Sequence, residues 1–250
     1  MRVALLLLAA SGCAYLKPAH APLTTAHVVS GEGACLVVLL PGVGDSPERF
    51  AAHGFLDALS NDAAHCDVLV ADSHFGHYRA GAITNRLAAL LEPRRAQYRA
   101  IWLVGVSLGG YGAMLTAREH PQLIDGVVLI SPFLGVPRAV APVAREIEAA
   151  GGLSHYHPRP TTLSRPERHF VEVAPLWAWL AEHARDPAAG PRVVLAYGHD
   201  DAFAWKHRLL ASSPSVSSIS APGAHDWTTF AALFRQVLVR TPWIEPKRET

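Results

Sequence analysis

The stretch Ile101-Trp102-Leu103-Val104-Gly105-Val106-Ser107-Leu108-Gly109-Gly110-Tyr111-Gly112-Ala113-Met114 constrains this chain more than any other. It opens as a short apolar run of strand type, turns through Gly-Val-Ser-Leu-Gly, and continues as a small-residue helix that stops at His120-Pro121. A serine between strand and helix at this spacing must sit on a very tight turn. Its hydroxyl then stands clear of the backbone, and its own backbone is strained. Gly105 and Gly109 flank it because a Cβ there would collide with the neighbouring strand or helix. Gly110, Gly112 and Ala113 keep the helix slim against a sheet. The helix N-terminus points at Ser107, so the Leu108 N–H and the helix dipole face any negative charge that develops there.

Strand, G-x-S-x-G, helix resembles the nucleophile elbow of the α/β-hydrolase superfamily. That resemblance implies an α/β fold: a mostly parallel central sheet covered by helices on both faces. The rest of the chain supplies further parts in order. Cys35 to Leu40 has no polar alternation, as suits a parallel strand buried on both faces. It ends in Pro41-Gly42-Val43-Gly44, where the superfamily places a second oxyanion donor; by position this is the Val43 N–H, paired with that of Leu108. Cys66 to Ala71, Gly126 to Ile130 and Arg192 to Tyr197 read as further buried strands. Thr24 to Ser30 reads as a first edge strand and Val216 to Ser220 as a weak one. Helices are expected over Pro47 to Ser60, Ile83 to Leu91, Val140 to Ala150, Ala174 to Arg185, Phe203 to Ala211 and Thr228 to Val239, the last with Phe230, Leu233, Phe234 and Val237 at core spacing.

The resemblance orders the catalytic groups as nucleophile, acid, base: Ser107, then Asp200 or Asp201, then His225. The family spacing Gly-x-x-Asp, counted from Gly198, selects Asp201. His225 lies in Gly223-Ala224-His225-Asp226-Trp227, which is similar to the Gly-x-His-Asp-Trp segment of esterase-type members; His74 and His199 are its competitors. A lone serine hydroxyl is a poor nucleophile at neutral pH. An imidazole within reach takes its proton, and a buried carboxylate fixes the imidazole. Asp72, His74 and Tyr78 follow a strand end, where open α/β sheets bind ligands, and either touch substrate as a rim or form a hydrogen-bonded loop. Gly135 to Gly190 matches the place of the superfamily's cap, after the sixth strand of its fold. Trp177 and Trp179 there either line an acyl pocket or pack the cap on the core.

The resemblance implies a serine hydrolase that cleaves an ester or thioester through an acyl-serine, with no metal or organic cofactor. The rivals are acyl transfer to a cell-envelope acceptor and a non-catalytic envelope binding protein on the same fold. Half of the 250 residues are apolar, 17% are charged and the net charge is +1. A large core is therefore affordable within one domain, and no basic block points to nucleic acid. His155 and His157 would need further ligands to hold a metal.

Residues 1–12 stand apart. Met1-Arg2 is followed by an apolar run too short to span a membrane, then by Ala10-Ser11-Gly12 and Cys13. This is similar to a bacterial lipoprotein signal, with Ala10 where leucine is commonest, and implies acylation of Cys13. An ordinary cleaved signal and an uncleaved anchor are the alternatives. Residues 13–23 then read as a short tether and 24–250 as the folded domain with a cap-like insertion at about 135–190. The expectation is an exported chain held in the cell envelope by lipid and acting on a small-molecule or lipid acyl substrate. In an oxidising compartment Cys35 and Cys66, which open neighbouring strands of the family's sheet, form either a disulfide or two buried thiols.

Overall fold

The computed structural model describes residues 17, 20, 22–29, 34–62, 66–158 and 173–241. The signal segment, Cys13, the centre of the cap-like insertion and the end of the chain lie outside the described residues.

Seven strands form one sheet in the order β1-β3-β2-β4-β5-β6-β7. They are β1 (Thr25–Val29), β2 (Cys35–Leu40), β3 (Cys66–Ala71), β4 (Ala100–Val106), β5 (Gly126–Ile130), β6 (Arg192–Gly198) and β7 (Ser217–Ala221). Strand β1 runs antiparallel to β3, and every other pairing is parallel. The continuous apolar runs follow from this layout. Along β2, Leu36, Val38 and Leu40 enter one core while Cys35, Val37 and Leu39 enter the other. A strand between two cores keeps the period-two alternation of its side chains but has no wet face to show it.

The first core lies under α3 (Phe75–Arg79), α4 (Ile83–Leu91), α5 (Leu108–Glu119), α6 (Pro137–Ala149), α7 (Val173–Arg185) and α8 (Ala204–Ala211). The second lies under α1 (Glu48–Ala52), α2 (Phe55–Asp62) and α9 (Trp227–Arg240), with Phe50, Phe55, Leu59 and Phe234 fully or almost fully buried. The single helix expected over Pro47 to Ser60 is broken in two, because Gly54 takes φ +74°, a left-handed value that ends the first helix. The loop expected after β3 contains the short helix α3. Helix α6 begins earlier than expected, at Pro137, whose fixed φ suits a first helical position.

Cys35 and Cys66 are register partners on β2 and β3, and a disulfide joins them across 4.5 Å between Cα atoms. The residues read as a tether do not all stand away from the domain. Lys17 forms an ion pair with Asp72, the His20 carbonyl accepts from Arg86 on α4, and the Thr24 carbonyl accepts from the Asp72 N–H. No helix among the described residues is long and apolar enough to cross a membrane.

Candidate active site

Five connections leaving the carboxyl ends of parallel strands meet at one rim. The nucleophile turn follows β4. Ser107 has φ 51° and ψ −113°, a left-handed φ that a residue with a Cβ seldom adopts. Packing enforces it. A Cβ on Gly105 would lie 2.3 Å from the Gly109 carbonyl carbon, and one on Gly109 would lie 2.1 Å from the Leu40 oxygen. Hydrogen bonds hold both sides of the turn to the neighbouring strand: the Ser107 N–H donates to the Ile130 carbonyl, and the Phe133 N–H donates to the Ser107 carbonyl.

The Ser107 Oγ lies 3.0 Å from His225 Nε2, and His225 Nδ1 lies 2.7 Å from Asp201 Oδ2. The carboxylate can only accept, so Nδ1 carries the proton and Nε2 is left to accept from the serine hydroxyl. His225 is fixed from below. The Asp226 side chain caps α9 by accepting from the Thr229 N–H, which holds the residue before it at the helix entrance. Phe203 and Phe230 meet the imidazole edge-on, with ring centroids 5.5 and 5.0 Å away.

Asp201 is 4% exposed. Burial alone would raise its pKa, but hydrogen bonds from His225 and the Phe203 N–H outweigh it and hold the carboxyl at about 2. The buried Ser131 hydroxyl acts in the same direction. It does not reach hydrogen-bond geometry with any group, so the two bonded donors carry more weight. Asp200 is exposed, and among the described residues its carboxylate accepts only from the Gly223 N–H, at 3.2 Å. The two adjacent aspartates thus divide the work: Asp201 faces the histidine, and Asp200 closes a turn.

The loop after β2 lies against the nucleophile. A Cβ on Gly42 would stand 3.5 Å from Ser107 Cβ. Neither Val43 nor Leu108 donates its N–H to a protein acceptor among the described residues. Asp45 in this loop accepts from Trp227 Nε1 at 3.2 Å and pairs with Arg49 at 3.6 Å. The loop after β2 is so tied to the loop that carries His225, a link between residues 182 apart in sequence that no local pattern announces.

Of the two readings of the loop after β3, burial of Tyr78 and His74 favours the packed loop over a substrate rim. Tyr78 is 1% exposed, and its ring fills the space that Gly112 leaves on α5. His74 is 4% exposed and lies against His77, ring centroids 3.8 Å apart. Helix α3 turns both side chains into the core. Asp72 stays partly exposed and is engaged by Lys17. His199 bonds Ser220 and is remote from the serine–histidine pair in hydrogen-bond terms. In the cap-like segment Trp177 is fully buried and donates to the Leu134 carbonyl, so it packs this segment on the core. Trp179 is half-buried, beside His183.

Sequence reading missed two buried side chains on α8. Lys206 donates to the Gly135 carbonyl at 2.7 Å and lies 4.1 Å from the Phe203 ring centre. Burial lowers its pKa to about 8, against the opposite pull of Asp201. His207 donates from Nε2 to the Pro132 carbonyl at 2.9 Å, and burial lowers its pKa to about 4. Together with Trp177 they hold the chain from Pro132 to Gly135, which runs beside Ser107. No group of three or more His, Cys, Asp or Glu among the described residues is placed to hold a metal.

Comparison with known proteins agrees with this architecture. The family model described as "Putative esterase" matches residues 69–241. A hydrolase from Pseudomonas aeruginosa superposes with a TM-score of 0.58 at 20% identity, over 87% of this chain and 93% of its own. Est1E from Butyrivibrio proteoclasticus gives 0.56 at 18%, over 84% and 88%. An S-formylglutathione hydrolase from Staphylococcus aureus gives 0.56 at 10%, over 90% and 97%. No protein of curated function matches by sequence. With a family model covering about two thirds of its length and the seven-stranded, mostly parallel sheet in common with these hydrolases, the chain belongs to the esterase family of α/β-hydrolases.

Proposed function

We propose that the chain is an exported, lipid-anchored serine esterase that works through an acyl-Ser107 intermediate. The observation that supports this reading is the unbroken hydrogen-bond chain from Ser107 Oγ through His225 to a carboxylate held charged, with the serine on a strained turn. His225 Nε2 takes the hydroxyl proton as Oγ bonds to the acyl carbon. The carbonyl oxygen becomes an oxyanion facing the Val43 and Leu108 N–H groups, beside the N-terminus of α5. The bond to the leaving group breaks, and His225 returns the proton to it. Water then enters by the same route: His225 accepts its proton, its oxygen bonds to the acyl carbon, and Ser107 leaves with the proton restored. Asp201 stays ionised throughout and stabilises the imidazolium. Thioesters come within the same chemistry, in keeping with the S-formylglutathione hydrolases among the structures of similar fold.

A fluorophosphonate probe tests the reading. The adduct is expected on Ser107 in the folded wild type and absent from Ser107→Ala and His225→Ala, with small activated esters hydrolysed in parallel. A folded protein that takes no probe and leaves such esters intact would overturn it in favour of a binding role. Faster product formation with an added alcohol, the acyl group appearing on that alcohol, would make the enzyme a transferase.

A further inference from the structure

The N-terminal segment enters the domain at the active-site rim. Because β1 is antiparallel to β3, its first residue, Thr25, pairs with Ala71, the last residue of β3. The amino end of β1 therefore lies where the parallel strands have their carboxyl ends, the pole that carries Ser107, Asp201 and His225. Two described residues before β1, Lys17 and His20, also lie on this side of the domain. Lys17 pairs with Asp72 just beyond β3, and its carbonyl oxygen lies 2.4 Å from where a Cβ on Gly76 would be. Arg86 near the start of α4 holds the His20 carbonyl. Lys17 thus lies against α3 and the loop before it, and His20 against α4.

Cys13 is four residues before Lys17, a reach of at most about 14 Å. Strand β1 is three places from β4 in the sheet, about 14 Å at the usual strand spacing. A lipid on Cys13 would therefore enter its membrane within about 30 Å of Ser107. The opposite pole is beyond the reach of those four residues from Lys17. Helix α9 starts beside His225 and descends 14 residues, about 20 Å, to Arg240. Among the described residues two large apolar side chains are exposed, Val43 at 43% and Val239 at 82%. Val43 is in the rim loop against Ser107, where contact with lipid would cover it; Val239 is at the far end of α9.

We propose that the docked N-terminal segment orients the enzyme with its active-site rim facing the membrane that anchors it, and that its substrate is the acyl ester of a membrane-borne amphiphile. This rests on the esterase reading and on acylation of Cys13. The anchor supplies a short, directed connection rather than a loose leash. An ester presented at the lipid surface meets Ser107 without leaving the membrane, and the released acyl chain stays in it.

The test uses the full acylated chain in phosphatidylcholine vesicles. A fluorophore is placed on Ala80→Cys, exposed at the end of α3, or on Val239→Cys, and the vesicles carry a quencher on their headgroups. Quenching is expected to be several-fold stronger at position 80 than at 239. Lys17→Glu, which turns the ion pair with Asp72 into a repulsion, narrows that gap while turnover of a short soluble ester is unchanged. In the same vesicles a phospholipid ester is expected to be cleaved at least tenfold faster by the acylated chain than by Cys13→Ser, the two matching on the soluble ester. Equal quenching at the two positions, or stronger quenching at 239, overturns the orientation, as do equal rates on the phospholipid ester. The underlying readings fail separately. Loss of soluble-ester hydrolysis in the wild type removes the esterase, and a Cys13 peptide without acyl mass removes the anchor.

Discussion

His225 and His74 occupy matching places in the fold, each in the loop leaving the carboxyl end of a strand, β7 and β3 respectively. Their surroundings differ completely. Both nitrogens of His225 are engaged, one by a carboxylate and one by a hydroxyl, and the side chain keeps 28% of its surface open. Both nitrogens of His74 are buried and, among the described residues, have no hydrogen-bond partner. Burial first, and then His77 beside it, push the His74 pKa down. Position at a strand end brings a histidine to the rim. What makes one a base is a partner on each side, the first fixing the proton and the second needing it. His207 is intermediate, buried with a single partner, the Pro132 carbonyl.

The widest separation is expected in turnover. Ser107→Ala or His225→Ala should each lower kcat by about 10⁵–10⁶-fold, because nucleophile and base act as one unit. His74→Ala should leave kcat per folded molecule within a few-fold of wild type. Steady-state kinetics on an activated ester check this. A large loss in the His74 variant with normal circular dichroism would break the comparison and return that histidine to the chemistry.

The adjacent aspartates sharpen it next. Asp201→Asn keeps the shape but no longer requires the proton on Nδ1, so kcat should fall by about 10⁴-fold. Among the described residues Asp200→Asn touches only the Gly223 N–H, and it should stay close to wild type. Because Asp201 stays ionised to about pH 2, the acid limb of the rate profile should not follow its titration. An acid limb abolished by Asp201→Asn alone would contradict that.

How much of this was legible in the sequence depends on how local each cause is. The apolar runs of β2, β4 and β5 announce strands covered on both faces, since neither face needs a polar residue. Ser107 between Gly105 and Gly109 announces the turn, because the clashes that demand the glycines lie within five residues or on the neighbouring strand. Spacing from Gly198 also separates Asp201 from Asp200. Helix α8 is illegible in this way. Lys206 and His207 are polar types with no local sign of burial, and only the fold brings the Gly135 and Pro132 carbonyls to them. The loop from Asp72 to Tyr78 stays undecided for a similar reason. Its polar residues fit either an open rim or a hydrogen-bonded loop, and α3 packs Tyr78 into the gap at Gly112, a contact between distant segments. The Asp45–Trp227 bond is of the same long-range kind.

His207 offers a smaller, pH-dependent contrast. Its ring stays neutral in the fold down to about pH 4, whereas the unfolded chain takes a proton near 6.5. Between those values the unfolded state binds more protons, so stability rises with pH. Folding accordingly loses up to about 3 kcal/mol as pH falls through that window, and the cost is fully present below it. His207→Gln can still donate to the Pro132 carbonyl but does not titrate. Urea unfolding at a series of pH values should show a shallower slope between 4 and 6.5 in the variant than in the wild type. An unchanged slope would move the acid sensitivity to another group.

The smallest effect concerns His74 itself and reverses the usual sign of a core substitution. Two ring nitrogens without partners among the described residues, in a side chain 4% exposed, carry a desolvation cost that no bond returns. His74→Phe keeps a flat ring against His77 and removes both nitrogens. The expected gain is about 1 kcal/mol, which in a chain of this size raises Tm by about 2–4 °C. The added ring volume works against it, so a gain would mean that the two nitrogens cost more than one extra carbon displaces. Thermal unfolding of the variant decides the matter, with ester turnover as the second readout. A lower Tm with unchanged turnover would mean that the pocket is shaped for an imidazole. A lower turnover with a raised Tm would mean that His74 was kept for function at the expense of stability, and the contrast with His225 would then be one of degree.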